Sequence, residues 1–292
     1  MKDSSLKIKT LLGIVASPRK LGNSELFVKE LYNHLPGSWK LKLIRLPEMD
    51  IRPCRGCYKC LFNEMKCPQN DDFHLAMEAL IQSDAYAVAA PTYFLGANAC
   101  LKVFLDRGLS LYGSYVDELW GKPAVGVAIA GNEGMEGWTK LAVENFVKLT
   151  MGDLRGSAVI YGALPGEIFL RNEGKETAKR LAKALIYGKG KDLDVPICPL
   201  CGGDTFRFLP NRQIRCMLCS NSGYYEWKEN NLQYHITLGE HPFFLTYEGA
   251  KKHADLLRNM KNNFLARRKE LKAITEQYTQ EVDWIQSERN KI

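Results

Sequence analysis

From Leu6 to about Tyr187 the chain alternates short apolar runs with longer stretches of mixed polarity. The runs LKIKTLLGIVAS, WKLKLIRLPE, AYAVAAP, PAVGVAIAG and LRGSAVIYGAL carry the β-branched and apolar content of strands. Between and after them, NSELFVKELYNHL, DFHLAMEALIQS, NACLKVFLDRGLSLY, WTKLAVENFVKLTMG and GKETAKRLAKALIYG repeat apolar residues at the spacing of a helix face. Strand-then-helix units in this succession predict an α/β architecture, a doubly wound five-stranded parallel sheet with strand order 2-1-3-4-5. In that order the connection reverses between strands one and three, so a ligand is expected over the loops that leave GIVAS and VAAP.

After GKGKDLDVP the pattern changes to cysteine, glycine, arginine and aromatic residues, with short strand-like pieces TFRFL, QIRC, YYEW and LQYHITL. From about Thr246 the chain is charged and periodic, the pattern of one or two amphipathic helices. These shifts divide the chain into residues 1–190, 191–245 and 246–292. A length of 292 residues, 46% of them hydrophobic, suffices for one full core and an appendage. The net charge of +7 is spread among acidic residues, so a nucleic acid is not the expected partner. No apolar run approaches the roughly 18 to 20 residues of a membrane span, and MKDSSLKIKT lacks the apolar centre of a signal peptide. The expectation is a cytoplasmic protein, in which nine cysteines point to metals or clusters rather than disulfides.

The first loop, ASPRKLGNSELF, places Ser17, Asn23, Ser24 and backbone N–H groups at a helix N-terminus, with Arg19 to add charge and Gly22 free to take a positive φ. It suits a phosphate, and equally an ordinary turn with Asn23 or Ser24 as N-cap. It is neither a GxGxxG nor a Walker A sequence. In the second loop Pro91 ends a strand before Thr92, Tyr93, Phe94 and Gly96; the aromatics either face a flat ring or fold back onto the sheet. The third loop, AGNEGMEGW, is wide and glycine-rich, open to a ring or simply a connection.

Together GIVASPRKLGNS, PTYFLGANACLKVFLDR and IRPCRGCYKC resemble the flavodoxin-like, NAD(P)H-dependent FMN reductase superfamily, and most of all its iron-sulfur flavoprotein branch, over residues 6 to 188. The resemblance implies FMN, with Ser17, Arg19, Asn23 and Ser24 at the phosphate. It places Pro91, Thr92, Tyr93 and Phe94 beside the isoalloxazine, and Gly131, Asn132 and Gly134 on the ring's other side.

Cys54, Cys57, Cys60 and Cys67 follow the spacing C-x2-C-x2-C-x6-C, bracketed by Pro53 and Pro68. Soft thiolates this close together suit a [4Fe-4S] cluster, three holding near corners and Cys67 closing the fourth. Zinc is the rival, although zinc sites more often pair two knuckles across a longer spacer. The resemblance supports the cluster, because iron-sulfur flavoproteins carry a compact four-cysteine motif between strand two and helix two. Cys198, Cys201, Cys216 and Cys219 do show that longer spacing, C-x2-C-x14-C-x2-C. They are expected to hold Zn2+ in a short β-hairpin ribbon, with iron in a rubredoxin-like site as the alternative. Arg207, Arg212 and Arg215 suit a solvated face, a nucleic acid or a docked redox partner.

Cys100 falls at an apolar helical position, His74 near a helix start, and His235 and His241 beside the ribbon. The tail helices, with ARRKELKAI, read as a docking or dimerisation arm. The expected function is that of an FMN-dependent oxidoreductase joining a one-electron carrier to two-electron flavin chemistry. Ferredoxin or NAD(P)H would be the donor, no side chain would act as acid or base, and the resemblance implies a homo-oligomer. Two alternatives stand beside it: an NAD(P)H-dependent FMN or quinone reductase without a cluster, and a redox-sensing module whose ribbon reads a nucleic acid or protein.

Overall fold

The computed structural model describes residues 8–61, 66–188, 195–229, 231–240 and 245–280. In chain order the first unit runs β1 (Lys9–Val15), α1 (Asn23–Asn33), β2 (Trp39–Arg45), α2 (Phe73–Gln82), β3 (Ala85–Tyr93), a two-residue β4 (Gly96–Ala97) and α3 (Cys100–Asp106). It continues with α4 (Leu109–Ser114), α5 (Val116–Leu119), β5 (Pro123–Ala130), α6 (Thr139–Leu149), β6 (Asp153–Tyr161) and α7 (Asn172–Tyr187). The parallel sheet has the order β2-β1-β3-β5-β6, with β4 folded back on β3. Discounting that small lip, this is the expected 2-1-3-4-5 order of a flavodoxin-like fold.

Burial along the strands explains the order. Most of β1 and β5 and the first six residues of β3 are buried, as a strand with helices on both faces requires. β6 instead mixes partly exposed with buried positions and β2 has only partly or fully exposed ones, and the two lie at the edges. Alternate residues of each central strand feed two cores. Leu11, Ala87 and Val127 pack with Phe27, Leu31, Leu181 and Leu185 of α1 and α7. Leu12, Ile14, Tyr86 and Val88 pack with Phe73, Leu80, Phe104 and Phe146 on the opposite face. The expected single helix NACLKVFLDRGLSLY is broken in two at Arg107 and Gly108, where Arg107 leaves helical geometry at φ −92°, ψ 2°.

The cysteine-rich segment forms a four-stranded antiparallel sheet rather than one short hairpin: β7 (Phe206–Leu209), β8 (Gln213–Cys216), β9 (Ser222–Lys228) and β10 (Asn231–Ile236), ordered β10-β9-β8-β7. One helix, α8 (Tyr247–Thr275), follows, its N-terminus capped by Thr246, which accepts from Gly249 N at 3.0 Å. Ala250, Ala254 and Leu257 are buried in the core shared with the cysteine sheet and the parallel sheet. Arg258 donates to Gly113 O at 2.8 Å. Farther along, Met260, Phe264, Ile274 and Tyr278 are exposed. The expected boundary near residue 190, His241 and the chain beyond residue 280 lie outside the described residues. Among the described residues no helix is long and apolar enough to cross a membrane.

Candidate functional site

The parallel registers bring Val15 opposite Ala89, Pro91 opposite Ile129, and Ile129 opposite Ile160. The loops after β1, β3, β5 and β6 therefore emerge along one edge of the sheet. There a cavity of about 190 Å3 is lined by Ser17, Arg19, Asn23, Ser24, Pro91, Thr92, Tyr93, Ile129, Gly131, Gly162 and Ala163. Eight of the expected FMN-site residues thus share one cavity. Asn132 lines an adjoining cavity of about 450 Å3 that shares Gly131 and Gly162. Together they fall within the roughly 300–1,000 Å3 of small-molecule sites. Phe94 and Gly134 line neither cavity.

The first loop is held from β2 and the first turn of α1. Arg45 Nη1 donates to Ser17 O at 3.0 Å and Arg19 O at 2.8 Å, while Nη2 donates to Glu25 Oε2 at 2.6 Å. That same oxygen accepts from Leu21 N at 2.7 Å, and Lys29 donates to Glu25 Oε1 at 2.6 Å. Burial alone would raise the Glu25 pKa, but hydrogen bonds from Lys29, Arg45 and Leu21 prevail and lower it to about 2. Gly22, rather than Asn23 or Ser24, occupies the N-cap, and no side chain caps α1. Gly22 is extended at φ −75°; Leu21 takes the left-handed conformation at φ 52°. An uncapped helix N-terminus beside Arg19 and two buried serines fits an anionic phosphate.

Asn23 spans the cavity floor instead of standing free. Its Nδ2 donates to Gly162 O at 2.9 Å and its Oδ1 accepts from Gly166 N at 2.8 Å. Glu167 fastens the same loop by accepting from Ala163 N and Leu164 N at 2.6 and 2.7 Å. This fourth loop, after β6, holds none of the expected site residues. Its one available signal is its place at the carboxyl end of the last strand, beside the crevice.

Tyr93 and Phe94 are exposed, so of the two alternatives the one in which they fold back onto the sheet is not met. They belong to the lip that β3 and β4 form, with Phe94 and Leu95 left-handed at φ 49° and 63°. The lip is pinned to the third loop, where Trp138 N donates to Leu95 O at 2.8 Å and the Thr92 and Thr139 hydroxyls are 2.9 Å apart. A Cβ on Gly96 would lie 2.4 Å from Trp138 Cζ2, so only glycine admits the indole there.

The first cysteine set surrounds a cavity of about 140 Å3 with Tyr58, Gln69 and Arg107 in its wall. Among the described residues, its sulfurs are not drawn within the 4.8 Å that marks a site for one ion. A multi-iron cluster, wider than one ion, needs thiolates set apart. Gly56 N donates to Cys54 Sγ at 3.4 Å, and Arg107 Nη2 donates to Cys67 Sγ at 3.3 Å. Burial, then the neighbouring sulfurs, raise the Cys60 pKa. His74 donates through Nε2 to Cys67 O at 2.9 Å, which places it at this loop. The cysteine cavity fits a cluster on its donor chemistry and on the buried, unpartnered Arg107 Nε–H donor beside it. Residues 62–65 of this loop lie outside the described residues.

Cys198, Cys201, Cys216 and Cys219 are buried with all four sulfurs within 4.8 Å of one another. Cys198 and Cys219 stand 3.8 Å apart and Cys201 and Cys216 3.5 Å, near the spacing that four bonds of about 2.3 Å to one tetrahedral ion produce. Hydrogen bonds shared within the set, Cys198 foremost, push the Cys219 thiol down and the Cys201 thiol up. Lys140 of α6 ties this site to the parallel-sheet unit, paired with Asp204 and, at 3.0 Å, with Glu144. His235 is no ligand; it pairs with Glu226 at 2.8 Å and stacks on Tyr224. Cys100 is partly buried, its thiol pushed up to about 12 by burial.

Residues 10–163 match the family described as NADPH-dependent FMN reductase. The chain belongs to that family. It is an FMN-dependent oxidoreductase by fold and family. An iron-sulfur flavoprotein of Methanocaldococcus jannaschii is 31% identical over 59% of this chain and 93% of its own length. One of Archaeoglobus fulgidus is 30% identical over 54% of this chain and 70% of its own length. Among solved structures, a flavone reductase superposes with a TM-score of 0.68 over 95% of this chain and 100% of its own, at 15% identity. That likeness speaks for the fold, and its span takes in the C-terminal elements.

Proposed function

We propose that the protein is an electron-transfer iron-sulfur flavoprotein that joins a one-electron carrier to two-electron flavin chemistry. The observation that carries this reading is the cavity shared by Cys54, Cys57, Cys60 and Cys67 in a chain whose fold and family are those of an FMN enzyme. FMN, when bound, supplies two-electron transfer, and a [4Fe-4S] cluster supplies one-electron transfer. Ser17, Arg19 and Ser24 bind the phosphate with the N–H groups of α1, and Asn23 holds the floor through Gly162 and Gly166. Pro91, Thr92 and Tyr93 flank one side of the ring and Gly131 and Asn132 the other. Phe94 and Gly134 stand farther out, on the lip and in the third loop.

Zn2+ in the second cysteine set holds the C-terminal sheet against α6. The protein works in the cytoplasm with ferredoxin or NAD(P)H as donor, assembled from like copies. The seam Met260, Phe264, Leu271 and Ile274 on α8 supports the last point, since its steps of four, seven and three match a coiled coil.

The test is anaerobic flavin bleaching under two donors, a reduced ferredoxin and NADPH. Ferredoxin should bleach the flavin in the wild type and lose that ability in C57S and C60S, which retain FMN. Bleaching by NADPH alone, unaffected by those substitutions, would favour a reductase without a cluster.

A further inference from the structure

Arg107 sits where α3 ends and α4 begins, and its side chain is wholly enclosed. The guanidinium carbon lies 4.4 Å from the centre of the Phe73 ring. Nη1 pairs with the equally enclosed Asp71 carboxylate and donates to Arg52 O at 3.3 Å. Nη2 donates to Cys67 Sγ at 3.3 Å, and Nε has no hydrogen-bond partner among the described residues. Asp71 accepts from Arg52 N at 3.0 Å and Phe73 N at 3.2 Å and does not line the cysteine cavity. The ion pair is therefore oriented, with its cation in the wall of the cysteine cavity and its anion behind.

An enclosed arginine held by a single carboxylate is costly to bury, and the fold gives up a hydrogen bond at Nε to keep it there. A surface ion pair would meet any structural need at less cost. What the placement supplies is a fixed positive charge and a charge-assisted N–H donor at one sulfur of a four-sulfur site.

We infer that Arg107 sets the reduction potential of the group held by Cys54, Cys57, Cys60 and Cys67, stabilising its reduced form through Cys67. This rests on the cluster reading above. One-electron reduction adds a negative charge to the site, and a nearby cation in a poorly screened interior favours the more negative state. Arg107 is a positioning residue by this account: it bonds to a ligand sulfur and not to a substrate. Because α3 begins just after the β3–β4 lip and ends at Arg107, that helix also joins the cluster wall to the flavin edge.

The experiment is an anaerobic redox titration of loaded protein, followed by the cluster's electron paramagnetic resonance signal. R107M/D71N removes both charges and so avoids stranding a buried carboxylate. It should lower the equilibrium constant for one-electron reduction at least tenfold, about 59 mV for one electron. R107K, which keeps the charge, should recover most of that loss. D71N alone leaves the cation uncompensated and should shift the potential in the opposite direction. A purely structural role predicts wild-type potentials in every loaded variant, or shifts of one sign in all three, and either result overturns the inference. Absence of iron and sulfide from the wild type would instead bring down the cluster reading itself.

Discussion

Arg45, the last residue of β2, places Nη2 2.6 Å from Glu25 Oε2 in the first turn of α1. The pair closes the loop from Ser17 to Leu21 into one geometry, because the same arginine holds two carbonyls of that loop and the same carboxylate holds Leu21 N. Glu25 is depressed from an ordinary 4.5 to about 2, so its contribution is present above pH 4.5 and is lost as pH falls toward 2. E25Q should be less stable than wild type by about 1–3 kcal/mol at pH 6. Urea unfolding at pH 6 and pH 3 should show that gap closing at the lower pH; an equal gap at both would contradict it.

Among the described residues, Arg19 is the one cation in the wall of the smaller flavin-edge cavity. R19A should weaken FMN about tenfold or more, as loss of one charge-assisted hydrogen bond implies, and leave riboflavin binding nearly unchanged. Fluorescence titration of the flavin-free protein with each ligand checks this. Equal losses for both would remove the phosphate from Arg19.

The parallel sheet was legible because its central strands are buried on both faces and therefore read as unbroken apolar runs, AYAVAAP most clearly. The second cysteine set was legible because tetrahedral ligation imposes a spacing. What local pattern could not show are bonds across long separations. Asn23 carries motif spacing for a phosphate, yet both ends of its amide go to a loop some 139 positions away. The Arg45 clamp, the Glu167 brace and the contact of Arg107 with Cys67 leave no periodic trace either. The break at Arg107 was hidden because the apolar period runs through it.

Thr139 and Lys140 are successive residues of α6, one bonded to Thr92 on the lip and the other to Asp204, three positions beyond Cys201. Removal of the metal by a chelator, or C216S, should therefore lower the melting temperature and weaken FMN binding together. K140M should lose roughly 1–3 kcal/mol by breaking a partly buried pair, with zinc content unchanged. Calorimetry with zinc analysis on the same samples tests both. An unaltered flavin affinity after complete removal of the metal would separate the two sites.

Phe264 and Ile274 are exposed on a helix whose buried residues, among those described, all lie in its first turns. Replacing both with glutamate should reduce the assembly mass measured by light scattering, with little effect on the flavin spectrum. A mass identical to that of the wild type would exclude α8 as the contact between copies.

Anaerobic purification followed by iron, acid-labile sulfide, zinc and flavin analysis of one sample decides whether the first four cysteines hold a cluster. An electron-transfer iron-sulfur flavoprotein of this kind should yield about four irons and four sulfides per chain with one zinc and one FMN. Flavin and zinc without sulfide, even after cluster reconstitution, would contradict it and leave a flavin reductase whose first four thiols hold no cluster.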